Sequence, residues 1–265
     1  MGSLTYRFAC AVDAGRLRTN NEDAVVLDTE RGVAVLADGM GGYKAGEVAS
    51  GMATQLVHGE LSRWLDDDGA RESAAQLRRA MERAVDGANR QIFNAASVNP
   101  DYQGMGTTLV CAVLRDISVM IGHVGDSRAY RLRQGRLARL TRDHSLLQEQ
   151  IDAGVITQQE ASVSTMKNLV TRAVGVEDTV LLETHVHALA AGDRLLMCSD
   201  GLSDMLDDDG IAQVLQQHES LEQCTRALIE AANDAGGKDN ISVILGRATG
   251  SVALQAGRSW WPFKR

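Results

Sequence analysis

The stretch from Thr107 to Leu140, TTLVCAVLRDISVMIGHVGDSRAYRLRQGRLARL, decides the fold. It reads as strands at Thr107–Leu114, Ser118–Val124, Ala129–Arg133 and Arg136–Leu140, joined by short turns such as Gln134-Gly135 and with no helix between them. A parallel doubly wound sheet would place one helix after each strand, so the run implies antiparallel pairing. Outward from it, further strands are predicted at Phe8–Val12, Ala24–Asp28, Val33–Ala37, Leu181–His187, Arg194–Cys198 and Ile241–Gly246. The helices come in pairs. One pair carries apolar stripes from Val48 to Trp64 and from Leu77 to Ala96, and the other carries Ile211, Val214, Leu215 and then Leu221, Cys224, Leu228, Ala231. The expected class is α+β, with antiparallel sheets covered by helix pairs. The segment 141–174 breaks the strand run with a short helix around Leu146–Ala153 and a polar stretch Thr157–Thr165, either a flap over a site or an ordinary surface excursion. Periodicity ends after Arg247.

Composition narrows the function classes. The chain has 265 residues, 44% apolar and 23% charged, which suits a folded domain rather than a disordered chain. A net charge of −8 and 4% aromatics argue against nucleic acid, which needs a basic surface. No run of 18 apolar residues occurs, and Met1–Arg7 lacks the apolar core of a signal peptide, so a cytoplasmic address is expected. The four cysteines, Cys10, Cys111, Cys198 and Cys224, form no C-x-x-C pair and read as small buried hydrophobes.

The informative acids are those at strand ends. Asp38 follows Val33-Ala34-Val35-Leu36-Ala37 and opens Asp38-Gly39-Met40-Gly41-Gly42; Asp200 follows Leu195–Ser199 and opens Asp200-Gly201; Asp239 lies just before the last strand. Each is held by rigid backbone yet faces a cleft. Converging carboxylates need a compensating cation, and without a zinc-type His/Cys cluster the hard ions Mg²⁺ or Mn²⁺ are expected. Asp66-Asp67-Asp68-Gly69 and Asp207-Asp208-Asp209-Gly210 lack the preceding apolar strand and read as capping or solvated residues. His144, His185 and His187 have no partner pattern and read as structural. Arg18, beside Glu22 and Asp23, is the candidate clamp for a phosphate, because a guanidinium binds phosphate oxygens in bidentate fashion.

Taken in order, Arg18-x-x-Asn21-Glu22-Asp23, Asp38–Gly42, Gly104-Met105-Gly106-Thr107-Thr108, Gly125-Asp126-Ser127-Arg128, Ser199-Asp200-Gly201-Leu202 and Asp239-Asn240 resemble the motifs of the type 2C metal-dependent serine/threonine protein phosphatases, in their bacterial branch. The resemblance spans about Phe8 to Arg247. It implies a four-layer α-β-β-α sandwich of two antiparallel sheets flanked by helix pairs, with a two-metal centre at one edge. By the resemblance, Asp38 bridges both Mn²⁺ or Mg²⁺ ions, the Gly39 carbonyl binds one, and Asp200 and Asp239 bind the other. Asp126 matches the position for a third, weaker ion, with Asn168 near it. Glu22, Asp23 and Asn240 sit in or just behind that shell, and Arg18 holds the substrate phosphate. The implied reaction is hydrolysis of phosphoserine and phosphothreonine in proteins by a metal-activated water, opposing a serine/threonine kinase. Eukaryotic relatives carry a proposed His acid where this chain has Met40, which has no proton to give. The rival readings are a non-catalytic phosphoprotein-binding pseudophosphatase and a partner-switching phosphatase in transcription control.

The expected organisation is a phosphatase domain over 1–248, with the flap at about 141–174, and a tail over 249–265. The tail's Trp260-Trp261-Pro262-Phe263-Lys264-Arg265 is a candidate for docking a partner or a membrane surface, or for folding back on its own domain.

Overall fold

Side chains alternate along the inner strands, and that alternation divides them between apolar layers. The computed structural model describes residues 4–42, 45–67, 73–162, 164 and 169–250; Asn168, Asp68, Gly69 and the Trp-rich tail lie outside the described residues. Among the described residues the strands are β1 (Thr5–Asp13), β2 (Asp23–Asp28), β3 (Val33–Met40), β4 (Gly106–Thr107), β5 (Leu109–Arg115), β6 (Ser118–Val124), β7 (Arg128–Arg133), β8 (Arg136–Arg139), β9 (Glu183–Ala188), β10 (Arg194–Cys198) and β11 (Ile241–Thr249). They form two antiparallel sheets, one ordered β1-β11-β10-β7-β8 and one ordered β2-β3-β5-β6-β9 with β4 paired to β3.

Val33, Val35 and Ala37 of β3 face the long helices α1 (Ala45–Asp66) and α2 (Ala74–Val98). The alternate residues Ala34 and Leu36, with Val110 and Ile121 of the same sheet, face the other sheet and share a layer with its Met197 and Ile244. Beyond that sheet, Cys198, Val243 and Leu245 pack against α6 (Asp208–Gln217) and α7 (Leu221–Asp234). The result is the expected four-layer sandwich. Burial on both faces explains why the inner strands read as continuous apolar runs, each fully buried Val or Leu contributing about 1.5–3 kcal/mol. Caps set the helix starts: Ser73 and Gln76 make a capping box on α2, and Asp207 accepts from the Gly210 amide at 2.8 Å on α6, so that acidic run is a cap as expected.

Four details differ from expectation. The strand predicted over Thr107–Leu114 is split, because at Asp38 the ladder partner is a hydroxyl: the Asp38 amide donates to Thr108 Oγ1 at 3.1 Å. The last strand runs to Thr249 rather than Gly246, since β1 pairs along its whole length, from Thr5↔Thr249 to Asp13↔Ile241. The polar stretch 157–165 contains a short helix, α4 (Gln158–Ser162), which follows α3 (Leu146–Asp152). Cys10 is exposed while Cys111, Cys198 and Cys224 are buried, all four as free thiols. Cys10 pairs with Ile244, a residue of the inter-sheet layer, but β1 is an edge strand, and while Tyr6 and Phe8 on the same face pack against that layer, Cys10 lies exposed at its margin. No helix among the described residues is long and apolar enough to cross a membrane.

Candidate metal centre

The two-residue period that builds the inter-sheet layer also builds the site. Asp38 continues the face of Ala34 and Leu36, Asp23 that of Val25 and Leu27, and Thr108 that of Val110 and Ala112. In the other sheet Ser127 continues the face of Ala129, Ser199 that of Leu195 and Met197, and Ser242 that of Ile244. At one edge, therefore, the apolar layer ends in a rim of carboxylates and hydroxyls. Asp23 and Asp38 are directly opposite each other on β2 and β3, a like-charge pairing that a sheet disfavours.

Hydroxyls hold this rim in place. Ser199 Oγ donates to Asp23 Oδ2 at 2.8 Å and accepts from the Ser242 amide at 2.9 Å. Thr107 Oγ1 donates to the Asp38 carbonyl at 2.8 Å, and the Thr108 and Ser127 hydroxyls share a 2.7 Å hydrogen bond. Asp200 opens the short helix α5 (Asp200–Ser203) directly after β10, and Asp239 precedes β11. Asn240 staples the N-terminal loop to this edge: its Oδ1 accepts from the Glu22 amide at 2.8 Å, and its Nδ2 donates to the carbonyls of Ala14 and Asn20 at 3.0 and 2.8 Å. That staple carries Arg18 to within 2.7 Å of Asp239 Oδ2. At Gly39, whose amide donates to the Glu22 carbonyl at 3.1 Å, a Cβ would overlap the Gly46 carbonyl of α1, so only glycine lets the helix start close over the rim.

Proton affinities report the crowding. Burial, then the charges of Asp23, Asp200, Asp126 and Asp239, push the Asp38 carboxyl well above the usual range. Burial and Asp126 do the same to Asp200. Asp23 is pushed up to about 6 by burial, against the opposing hydrogen bond from Ser199. Asp126 is also pushed up to about 6, by burial and by Asp143, with Arg128 opposing. Glu22 is raised by burial and lowered by Arg18.

Of the residues singled out by the sequence, Arg18, Glu22, Asp23, Asp38, Gly39, Asp126, Asp200, Asp239 and Asn240 lie along one rim, while Asn168 falls outside the described residues. Two buried oxygens there, Asp23 Oδ1 and Asp200 Oδ1, have no hydrogen-bond donor among the described residues. An oxygen-only donor set with unsatisfied carboxylate atoms suits a hard divalent cation. Sequence reasoning missed the roles of Thr108, Ser127, Ser199 and Ser242, although strand parity places each beside an acid. Met40 ends β3 opposite Gly106. Asp126 and Asp200 also line a cavity of about 710 Å³ whose far wall includes Leu147 and Ile151 of α3 and Gln158 and Ala161 of α4, so the segment expected as a flap faces the acidic rim. At the cavity floor Arg128 holds Asp143 with Nε and Nη2, at 3.1 and 2.7 Å.

Comparison with known proteins gives a consistent result. The family model described as Protein phosphatase 2C matches residues 16–246. The serine/threonine phosphatase Stp of Listeria welshimeri is 39% identical over 236 residues, covering 88% of this chain and 92% of its own length. The crystal structure of the Mycobacterium tuberculosis serine/threonine phosphatase PstP/Ppp superposes with a TM-score of 0.82 at 38% identity, over 92% of this chain and 99% of that one. A crystal structure of the catalytic domain of PstP in complex with two manganese ions gives a TM-score of 0.81 at 37% identity, over 94% of this chain and 100% of that one.

Proposed function

The chain belongs to the protein phosphatase 2C family, and from that premise we propose how its acidic rim hydrolyses phosphoserine and phosphothreonine. The protein is a metal-dependent serine/threonine protein phosphatase that takes Mn²⁺ or Mg²⁺ and acts on phosphorylated proteins. In our reading Asp38, the Gly39 carbonyl, Asp200 and Asp239 hold two ions, and Asp126 holds a third more weakly. Glu22, Asp23 and Asn240 stand behind them. The observation that carries this reading is the rim itself: buried carboxylates that raise one another's proton affinity, two of them with an oxygen that finds no donor among the described residues. Such a cluster is costly until cations occupy it.

When bound, the ions supply Lewis acidity, lowering the pKa of water and offsetting charge on the phosphoryl oxygens. The chain's own residues do the positioning. Arg18, exposed at the mouth and restrained by Asp239, offers its planar fork to the equatorial oxygens of the phosphate, where a loose transition state keeps most of its charge. Ser199 and Asn240 fix Asp23 and the Arg18–Glu22 loop, so the site needs little rearrangement as charge develops. Met40 donates no proton to the leaving oxygen. The cavity beneath α3 and α4 offers room for peptide flanking the phosphoresidue.

The substrates are made by a kinase that phosphorylates serine and threonine, which we take as the opposing enzyme, and the four free thiols suit a reducing, cytoplasmic setting. We take residues 1–248 as the phosphatase domain, with 141–174 as its flap, and assign docking of a partner to the Trp-rich segment after it. Replacing Asp38 or Asp239 by Asn is expected to abolish Mn²⁺-dependent turnover of a phosphothreonine peptide while the far-ultraviolet circular dichroism stays native; full turnover in either variant refutes the assignment.

A further inference from the structure

Apart from the acidic rim, His123, His144 and Glu183 form a second cluster of metal-type donors, with one ligand atom from each lying within 4.8 Å of the others. Its geometry does not suit an ion. The two imidazoles are stacked, centroids 4.7 Å apart and planes 19° apart, so no single ion can lie in both ring planes, where the nitrogen lone pairs point. The tautomers agree. The Gly125 amide donates to His144 Nδ1 at 3.2 Å, which leaves the ring proton on Nε2, and Nε2 donates to Glu183 Oε2 at 3.2 Å. Both nitrogens of His144 are therefore committed to hydrogen bonds.

The geometry points to another role: we propose that His144 is a positioning residue that holds the loop carrying Asp126, with Glu183 fixing the tautomer that lets it do so. The proposal rests on the reading of Asp126 as a ligand of the weakly held ion. His144 grips both polar groups of Gly125, its ring accepting from the Gly125 amide and its own amide donating to the Gly125 carbonyl at 2.9 Å. Gly125 has a φ of +100°, and it turns the chain out of β6 in one sheet toward β7 in the other, with Asp126 next in line. A backbone in that conformation has no ladder to hold it, so a side-chain clamp decides where Asp126 points. His144 also ties in the flap: the Thr171 amide donates to its carbonyl at 2.8 Å, and the neighbouring Leu146 amide donates to Leu169 at 2.9 Å. The root of the segment over the cavity and the Asp126 loop thereby share one anchor. Glu183 lies on β9, where His185 Nε2 donates to its other oxygen at 2.8 Å, keeping the carboxylate charged and aimed.

The test is calorimetric titration of the metal-free full-length protein with Mn²⁺, together with hydrogen exchange of the Gly125 amide measured by nuclear magnetic resonance before Mn²⁺ is added. His144→Ala is expected to weaken the weakest Mn²⁺ site about tenfold, leave the tighter sites in place and speed Gly125 exchange. His144→Asn, whose Oδ1 stands where Nδ1 stood, is expected to restore both. Asp126→Asn is the control and removes the weak site. If Asp126→Asn binds Mn²⁺ like the wild type, the ligand reading falls and the proposal falls with it. If Asp126→Asn loses the site but His144→Ala does not weaken it, or His144→Asn fails to rescue, the ligand reading stands and the clamp is overturned. Should His144→Ala not fold, Glu183→Ala at a partly exposed position gives the same readouts: faster Gly125 exchange with a weaker third site supports the clamp, and wild-type values overturn it.

Discussion

Asp38 faces Asp23 across two strands and shares its surroundings with Asp200 and Asp126, so at the scale of single residues the rim opposes folding when no cation is present. Carboxyls whose folded pKa is raised stabilise the fold while protonated, and that contribution is lost as pH rises through the folded value. With Asp23 and Asp126 pushed up to about 6 from an ordinary 3.8, lowering the pH of the chelator-treated protein from 7.5 to 5 should raise its Tm. A fall in Tm over that interval would contradict the electrostatics. By the same logic Asp38→Asn in chelator should melt about 2–4 °C above the wild type, roughly the effect of 1 kcal/mol in a chain of this size, even though it cannot turn over substrate. At the opposite extreme of exposure, thiol reagents should label Cys10 in the native protein and reach Cys111, Cys198 and Cys224 only after unfolding. The candidate ligands were legible because each follows or precedes an apolar run beside glycine. The exposure of Cys10 was not legible, because an edge strand and an inner strand share the same alternation and differ only in their neighbours.

At the scale of elements, β3 and β5 meet the rim through a hydroxyl instead of a carbonyl. Thr108→Val keeps the shape but leaves the Asp38 amide and Ser127 without that partner, and should cost about 1–3 kcal/mol in denaturant unfolding while weakening Mn²⁺ binding in calorimetry. Unchanged stability would show that water replaces the hydroxyl. Where α1 starts, Gly39→Ala would drive a Cβ into the Gly46 carbonyl, and a displaced helix should cost about 3 kcal/mol along with turnover. Strand and helix positions were readable from period, as Ser118–Val124 and Arg194–Cys198 show by matching residue for residue. The break at Thr108 was not readable, since it depends on which acceptor the Asp38 amide finds, a long-range pairing that local alternation does not encode. The polar roles of Ser199 and Ser242 were encoded in parity but hidden until the sheet order made their faces coincide.

For the whole molecule, two sheets and their covering helices converge on a single rim, so occupying it should tighten the entire fold. Mn²⁺ at one hundred times its dissociation constant adds about 2.7 kcal/mol, a rise of roughly 5–10 °C in Tm. It should also flatten the pH dependence argued above; a melt indifferent to Mn²⁺ would separate stability from the acidic cluster. The sheet order β1-β11 has one more implication. Thr5 and Thr249 are paired, and β11 carries the chain about 27 Å away from Asp239 at the usual rise per strand residue. A fluorescent reporter attached at Thr5 or at Thr249 therefore sits at the far pole of the sandwich, beside the other strand end, and leaves the entrance clear for bulky clients.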